Sequence, residues 1–369
     1  VGALFVSLQN RYIGNVDLGF NKENVLEVRL SMGAALKKGE LFKARLLESP
    51  AIRDVSFSEF KFVSDESRSF IGYNYKGQHY YMSWLGVSAN FPELMDVKMI
   101  AGRKFRPTDE AADNTQVVCL LSETAAREIA SGLSPEKLDD LSDLVGTSIT
   151  DNDIPVRIVG IFEDVHYESL YKELRPMGLW TSAKNHYRRS VPERYAYVKI
   201  AGGNPRTAIE HIRKVTDELI PGYPADIHFF DTALEELYSK SGRQGALITA
   251  LCLMAVFLSL VGVFGLVIFE LQGREKEIAV RKVHGSTVRQ ILWMLNSSFL
   301  RITLVCFIIS IPLAYYGVNV WLRSFAYKTP IYIWVFLVAL VIIMTLTVST
   351  ATFQSYRAAM ANPASKLGH

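Results

Sequence analysis

The sequence predicts an α+β membrane protein, with a mixed α/β domain outside the membrane followed by a helical membrane domain. Three observations support this prediction. Long uncharged apolar runs occur near the C-terminus, whereas residues 1–245 have the mixed composition of a water-soluble domain. Those earlier residues alternate between strand-like and helix-like patterns. A segment rich in Lys and Arg, residues 270–301, interrupts the apolar region and gives its orientation across the membrane.

Composition limits the classes of function. The chain has 369 residues, enough for two domains, and a formal net charge of +3, too small to indicate nucleic-acid binding. Its three cysteines, Cys119, Cys252 and Cys306, provide neither a disulfide framework nor a cysteine-based zinc site. The sequence contains no P-loop, G-x-S-x-G or H-E-x-x-H motif, and its histidines lack the spacing of metal ligands. We therefore expect no catalytic residues, metal or cofactor.

The chain begins with an apolar stretch, VGALFVSL, which is too short to cross a membrane. It could be the remnant of a signal peptide or the end of a transmembrane helix. A basic start and a small-residue cleavage site are both missing. We therefore interpret residues 1–11 as the end of a truncated transmembrane helix.

Three apolar runs in the membrane domain, residues 241–369, are each long enough to form a span. They cover about 246–269, 302–322 and 330–352. At about 1.5 Å per residue, runs of this length match a hydrocarbon core of about 30 Å. Backbone polar groups in lipid need internal partners, so the runs should be helices. The alternative, buried helices in a large soluble core, would need more surrounding chain than the sequence has.

Basic residues give the direction of the spans, because Lys and Arg favour the cytoplasmic side. The connection between the second and third spans, 323–328, carries two of them. The region between the first and second spans carries six: Arg274, Lys276, Arg281, Lys282, Arg289 and Arg301. We therefore place residues 270–300 inside the cell together with the C-terminal tail, and call residues 270–287 the charged segment below. Residues 12–240 then form a domain outside it.

The charged segment combines its charge with signs of a defined local structure. Ile278 gives a short helix an apolar edge, and Gly285 suits the left-handed position that ends a helix. Ser286 or Thr287 can cap the helix that follows. A loop that only sets topology would explain the basic residues, but not the apolar edge or the helix break.

The residues after this break, 288–301, have the pattern of an amphipathic helix lying at the membrane surface. Arg301 would reach from it to the lipid headgroups. Pro312 should kink the span that follows.

The pattern of residues 25–240 indicates two β-α-β units with a strand-rich subdomain inserted between them. The first unit is strand 25–31, helix 39–49 and strand 52–60, and the second is strand 194–200, helix 204–219 and strand 225–231. The insertion contains three predicted strands, QHYYMSWLGVS, TQVVCLLS and IPVRIVGIFEDV, and the predicted helix SETAAREIAS. After residue 231, good helix formers and the lack of proline favour a helical stalk over a flexible linker, although Gly242 and Gly245 weaken it.

Several motifs resemble one family. The run REKEIAVRKVHGST resembles the segment after the second transmembrane helix of FtsX/MacB-type ABC permeases, which has the form R-x-x-E-I-x-[IV]-R-[KR]-x-x-G-[AS]. The matching residues are Arg274, Glu277, Ile278, Arg281, Lys282, Gly285 and Ser286. Ala279 and His284 stand where the family commonly has Gly and Leu. RYIGNVDLGFNKENVL and the ending ANPASKLGH also resemble family segments, with Gly368 in place of a basic residue.

The resemblance implies a non-catalytic permease with four helices and a large outer domain between the first two. The seven matching residues would dock on a separate cytoplasmic P-loop ATPase subunit, whose ATP hydrolysis would move the outer domain. Efflux, lipoprotein release and control of the cell envelope are the roles that the family offers. The resemblance also implies a multi-pass protein of the inner membrane, in contact with lipid, that forms a dimer of permease halves and can meet a periplasmic adaptor.

Two other classes of function are compatible with the topology. A membrane sensor would use the outer domain to bind a ligand and would signal to a cytoplasmic effector on a separate chain. A membrane-anchored hydrolase is disfavoured because no nucleophile or acid–base pair is evident.

Overall fold

A computed structural model describes residues 1–14, 16–30, 38–64, 70–110, 116–133, 140–151, 154–170, 172–182, 194–202, 204–222, 224–274, 277–278, 280–281, 284–323 and 325–360. The chain divides into two compact units. The first, here called the outer unit, is Val16–Ser239. The second, the membrane unit, consists of Val1–Asn15 and Lys240–His369.

The outer unit contains a four-stranded antiparallel sheet with strand order β11–β1–β10–β2. Its strands are β1 (Val25–Arg29), β2 (Ile52–Ser58), β10 (Tyr195–Ile200) and β11 (Asp226–Phe229), and its helices are α2 (Gly39–Leu47) and α5 (Pro205–Leu219). The two predicted β-α-β units are present but interleaved, because β10 separates β1 from β2 and β1 separates β10 from β11. This split arrangement lets both helices cover one face, where Phe42 and Ile212 join the core.

The opposite face of the same sheet carries an aromatic cluster. Its rings, which meet at centroid distances from 5.0 to 6.4 Å, are Phe20, Phe62, Phe91, Tyr197 and Phe230. Glu27 lies on this face and is only 4% exposed. The Tyr197 hydroxyl donates to its carboxylate at 3.2 Å, and Lys61 Nζ lies 3.3 Å away. Burial raises the pKa of Glu27, and Lys61 and Tyr197 partly offset that effect.

A second sheet, of seven strands, is inserted between β2 and β10, in the order β5–β8–β6–β9–β4–β3–β7. The strands are β3 (Phe70–Tyr75), β4 (Gln78–Gly86), β5 (Met99–Gly102), β6 (Val117–Ser122), β7 (Ser148–Asp151), β8 (Ile154–Phe162) and β9 (Met177–Thr181). Helix α3 (Phe91–Leu94) follows β4, and helix α4 (Glu123–Leu133) contributes Ile129 to the apolar core that also contains Trp84 and Tyr73. The predicted strand-rich insertion is therefore confirmed.

The membrane unit contains α1 (Gly2–Gly14), α7 (Val288–Leu322), α8 (Ile333–Met360) and most of α6 (Phe230–Gly273). Within the described residues, three helices are long and apolar enough to span a membrane, over Ala246–Glu270, Arg289–Leu322 and Ile333–Phe353. This confirms the predicted number of complete transmembrane helices. Helix α6 is continuous from Phe230 into its apolar part, so the stalk has the predicted helical form.

Helix α7 differs from the sequence prediction. A surface helix over 288–301 and a separate span were expected, but one helix, Val288–Leu322, contains both, with Pro312 inside it. The apolar side chains of the expected surface helix explain the difference. Ile291 and Phe299 are buried in a core shared with α6 and α8, so this face packs within the bundle.

Candidate functional site

The charged segment leaves α6 with helical hydrogen bonding. The Arg274 N–H donates to the Glu270 carbonyl at 3.2 Å, and the Ile278 N–H donates to the Arg274 carbonyl at 2.9 Å. Residues four apart in a helix lie on the same side, one above the other. This spacing therefore aligns Glu270, Arg274 and Ile278 along one side.

Two ion pairs order the charged side chains. Arg274 Nη2 lies 2.8 Å from Glu270 Oε1, and Arg281 Nη2 lies 2.8 Å from Glu277 Oε1. Exposed pairs with this spacing contribute only about 0.3–0.5 kcal/mol each to stability. The second nitrogen of Arg281, Nη1, also donates to the Met294 Sδ atom of α7 at 2.9 Å. The pairs therefore define where the guanidinium groups lie more than they stabilise the fold.

Ile278 attaches the charged segment to the helical bundle. It is 9% exposed and shares an apolar cluster with Val267 of α6, Ile291 and Phe299 of α7, and Ala351 of α8. Burying a side chain of this size contributes about 1.5–3 kcal/mol, several times more than an exposed ion pair. Ile278 is therefore the principal attachment point, and its charged neighbours project outward from it.

A tight turn connects this segment to α7. Gly285 has φ +86°, the left-handed conformation that the sequence predicted. The Ser286 N–H donates to the Arg281 carbonyl at 3.0 Å, the hydrogen bond that closes a Schellman helix end. Thr287 then caps α7: its hydroxyl accepts from the Gln290 N–H, and the Gln290 side chain accepts from the Thr287 N–H.

The structure describes six of the seven residues that matched the family motif, and Lys282 lies outside the described residues. Arg274, Glu277 and Arg281 carry the charges, Ile278 is the buried contact, and Gly285 and Ser286 form the turn. Sequence analysis missed Glu270 and Met294. The four-residue spacing of Glu270 and Arg274 could have identified the first pair. Met294 is joined to Arg281 by a tertiary contact for which the sequence has no signal.

Comparison with protein families gives two matches that together cover most of the chain. Residues 4–215 match the MacB-like periplasmic core domain, and residues 249–363 match the FtsX-like permease C-terminal domain. A curated relative, described as "Probable syringafactin export ATP-binding/permease protein SyfD" from Pseudomonas syringae pv. tomato, is 23% identical over 237 residues. That alignment covers 62% of this chain and 33% of the relative. The chain thus aligns with about a third of the relative's length.

Solved structures of similar domains come from several bacteria. The periplasmic region of MacB from Actinobacillus actinomycetemcomitans is 16% identical, with a TM-score of 0.42, covering 61% of this chain and 97% of that one. A domain of a putative permease from Porphyromonas gingivalis is 18% identical, with a TM-score of 0.37, covering 57% and 92%. The extracellular domain of the ABC-type transporter YknZ from Gram-positive bacteria is 12% identical, with a TM-score of 0.39, covering 56% and 100%.

Proposed function

Because this chain belongs to the MacB/FtsX-type family of ABC transporter permeases, we propose that it is a non-catalytic permease half whose charged segment docks on a separate cytoplasmic ATPase. ATP binding and hydrolysis on that partner would then move the domain outside the membrane. In this arrangement the membrane is the inner membrane, and the outer unit lies on its periplasmic side, where an adaptor protein can reach it. Efflux, lipoprotein release and control of the cell envelope are the outcomes that such movement can serve.

The observation that carries the proposal is the position of Ile278. A partner that binds the charged groups of Arg274, Glu277 and Arg281 would hold a segment whose buried Ile278 shares an apolar cluster with all three complete transmembrane helices. Because a close-packed core has few voids and low compressibility, displacement of one side chain shifts the side chains around it. Movement of the charged segment would therefore be passed to α6, α7 and α8 together.

Helix α6 supports transmission beyond the membrane unit. It begins at Phe230, whose fully buried ring belongs to the aromatic cluster of the outer unit, and it ends at Gly273 beside the charged segment. One unbroken helix therefore joins the two ends of the proposed path.

The exposure of α6 supports a dimer of permease halves. Between residues 246 and 266, every side chain of α6 is at least partly exposed, and Val267, the next residue, is buried. A Cβ atom added at Gly262 or Gly265 would meet no atom within 4 Å. Small residues let transmembrane helices approach closely, so this helix suits contact with the corresponding helix of a second half. Lipid would cover the remaining surface.

Charge reversal in the charged segment tests the docking proposal. The variant Arg281→Glu with Lys282→Glu should abolish stimulation of the partner ATPase in reconstituted membranes, because it replaces two positive charges on the proposed contact. Arg323→Glu, with the same kind of charge change in the other connection, is the matched control and should leave stimulation unchanged.

A second variant separates docking from local helix stability. Glu277→Arg with Arg281→Glu keeps an ion pair at the same spacing but exchanges the positions of the charges. If the ATPase recognises the positions of the charges, this variant should also fail to stimulate ATP hydrolysis. Full stimulation by both the reversed and the exchanged variants would show that the segment is not the docking site.

A further inference from the structure

Aromatic side chains mark two levels along the antiparallel helices α7 and α8. Trp293 and Tyr316 on α7, and Trp334 and Tyr356 on α8, are all exposed. At about 1.5 Å per residue, each pair is roughly 33–35 Å apart along its helix. Exposed Trp and Tyr favour the two interfaces of a bilayer, whose hydrocarbon core is about 30 Å thick. The pairs therefore have the spacing of membrane boundaries.

Contacts between the helices put these levels in register. The Asn296 side-chain amide of α7 donates to the Thr352 hydroxyl of α8 at 2.8 Å. Trp293 and Tyr356 lie three and four residues from this bond, both toward the same end of the bundle. Helix α6 indicates the same level. Its Val267 belongs to the apolar cluster that contains Ala351 of α8, and its uncharged stretch ends three residues later at Glu270. All three helices thus place the cytoplasmic boundary near Trp293.

Arg301 lies on the membrane side of this boundary. It is eight residues beyond Trp293 on α7, or about 12 Å toward the membrane centre. The expectation from sequence, that the Arg301 side chain reaches the lipid headgroups, then requires this side chain to extend from that depth toward the cytoplasmic surface. Its side chain is exposed on the bundle surface, and among the described residues it has no ion pair or hydrogen bond. An unpaired charge at this depth is costly, and such residues commonly mark functional sites.

We propose that Arg301 binds the phosphate of an anionic phospholipid from the cytoplasmic leaflet. Helix side chains incline toward the N-terminus of their helix, and the N-terminus of α7 lies at the cytoplasmic end. The guanidinium is therefore directed toward the cytoplasmic leaflet. Ser298, about one turn closer to the N-terminus of α7, is half-exposed, and its hydroxyl provides a second donor. Arginine suits this ligand because its planar donors can make paired hydrogen bonds to phosphate oxygens.

A second copy of the chain is a poorer partner for this charge. Helices α7 and α8 contain no Asp or Glu, and α6 contains none from Ala246 to Phe269. A dimer contact through these helices would therefore supply no carboxylate at the depth of Arg301. The lipid phosphate is the anion that the membrane itself can deliver there.

Lipid titration of the purified chain in detergent, followed by native mass spectrometry, tests this site. Phosphatidylglycerol should bind at least about tenfold more weakly to Arg301→Gln than to the wild type, given the strength of hydrogen bonds to charged groups. Arg301→Lys should be intermediate, because it keeps the charge but loses the paired donors. Arg289→Gln is the matched control on the same helix, outside the boundary, and should bind as the wild type does.

Three results would overturn the proposal. The first is equal phosphatidylglycerol binding by Arg301→Gln and the wild type. The second is a change of oligomeric state in Arg301→Gln with unchanged lipid binding, which would assign the charge to a protein partner. The third is equally tight binding of soluble glycerophosphate at the same residue, which would show a water-accessible anion site instead of a lipid site.

Discussion

The side chain of Gln9 accepts a hydrogen bond from the backbone N–H of Thr329 at 2.8 Å, although the two residues are 320 positions apart. The same amide donates from Nε2 to the Tyr327 carbonyl at 2.7 Å. Gln9 is fully buried, and Phe5, one turn earlier on α1, packs edge-to-face on Phe336 of α8. One side chain thus uses both ends of its amide to join α1 to the connection between α7 and α8.

Replacing Gln9 should weaken the connection between α1 and residues 327–329 without changing the apolar packing around it. Gln9→Met has nearly the same length but removes both hydrogen bonds, and a buried polar group that loses its partner costs about 1–3 kcal/mol. We expect a clearly lower thermal unfolding midpoint for the purified chain in detergent. Ser7→Ala, at an exposed position of the same helix, should have little effect. Equal midpoints for Gln9→Met and the wild type would show that the hydrogen bonds do not stabilise the bundle.

Ile278 allows attachment of the charged segment to be tested separately from its charge. Ile278→Ala keeps every ionised group but removes most of the buried side chain, a change that costs about 2–5 kcal/mol in a packed core. We expect partner binding to persist while stimulation of the ATPase falls strongly, because the docked segment would no longer move the helices. Val280→Ala, at an exposed site in the same segment, should keep full stimulation. Normal stimulation by Ile278→Ala would exclude this contact as the mechanical link.

The turn after the charged segment depends on the backbone conformation of Gly285. A Cβ atom there would meet nothing within 4 Å, so any cost of Gly285→Ala comes from its positive φ, at about 1–2 kcal/mol. Gly273→Ala is the matched control: it ends α6, has no positive φ and also has open space around it. We expect Gly285→Ala to lower the unfolding midpoint and Gly273→Ala to leave it unchanged or raise it slightly. The reverse order would contradict the turn described above.

Sequence analysis predicted the elements that have strong local patterns and missed those defined by tertiary contact. Helix α5 was predicted over residues 204–219 with a proline in its first turn, and the structure adds a cap in which the Asn204 side chain accepts from the Arg206 N–H. Strand β9 was missed because all five of its residues are buried, so it has no alternation. The extent of α7 was misjudged because its amphipathic part packs inside the bundle, and an amphipathic pattern does not show whether protein or membrane covers the apolar side.

The candidate site likewise combines local features, which the sequence predicted, with tertiary contacts, which it did not. The turn at Gly285 was predicted because it depends on neighbouring residues, and of the two predicted caps, Ser286 and Thr287, the structure has Thr287. The attachment of Ile278 and the contact from Arg281 to Met294 join residues on different helices, so the sequence could not reveal them. The depth that we propose for Arg301 depends on the register between α7 and α8, which the sequence alone does not give.

The exposure of α6 leads to a prediction about assembly. If two permease halves meet through this helix, Gly262→Leu should weaken their association, because a large side chain would fill the open space through which helices can approach. We expect a shift toward monomer in size-exclusion chromatography with light scattering. Leu253→Ala, also at an exposed position of α6, tests whether any change of volume has this effect. An unchanged oligomeric state in Gly262→Leu would place the dimer contact elsewhere.

The buried carboxylate of Glu27 should make the stability of the outer unit depend on pH. Burial raises its pKa, so the folded state favours the protonated form more than the unfolded state does. The stability that the neutral form contributes is fully present below about pH 4.5, the ordinary value for glutamic acid, and is lost as pH rises through the folded-state pKa. Glu27→Gln keeps a neutral side chain at every pH. Its advantage over the wild type should therefore be small near pH 4 and grow toward neutral pH.

Chemical denaturation of both proteins between pH 4 and pH 8 measures this difference, followed through the tryptophans of the outer unit. Glu23→Gln removes one negative charge at an exposed site and controls for the change in net charge. The half-buried ammonium of Lys61 can still reach water when its partner becomes an amide, so the loss of that ion pair should offset only part of the gain. A difference between Glu27→Gln and the wild type that shrinks toward neutral pH would mean that Lys61 and Tyr197 outweigh the effect of burial.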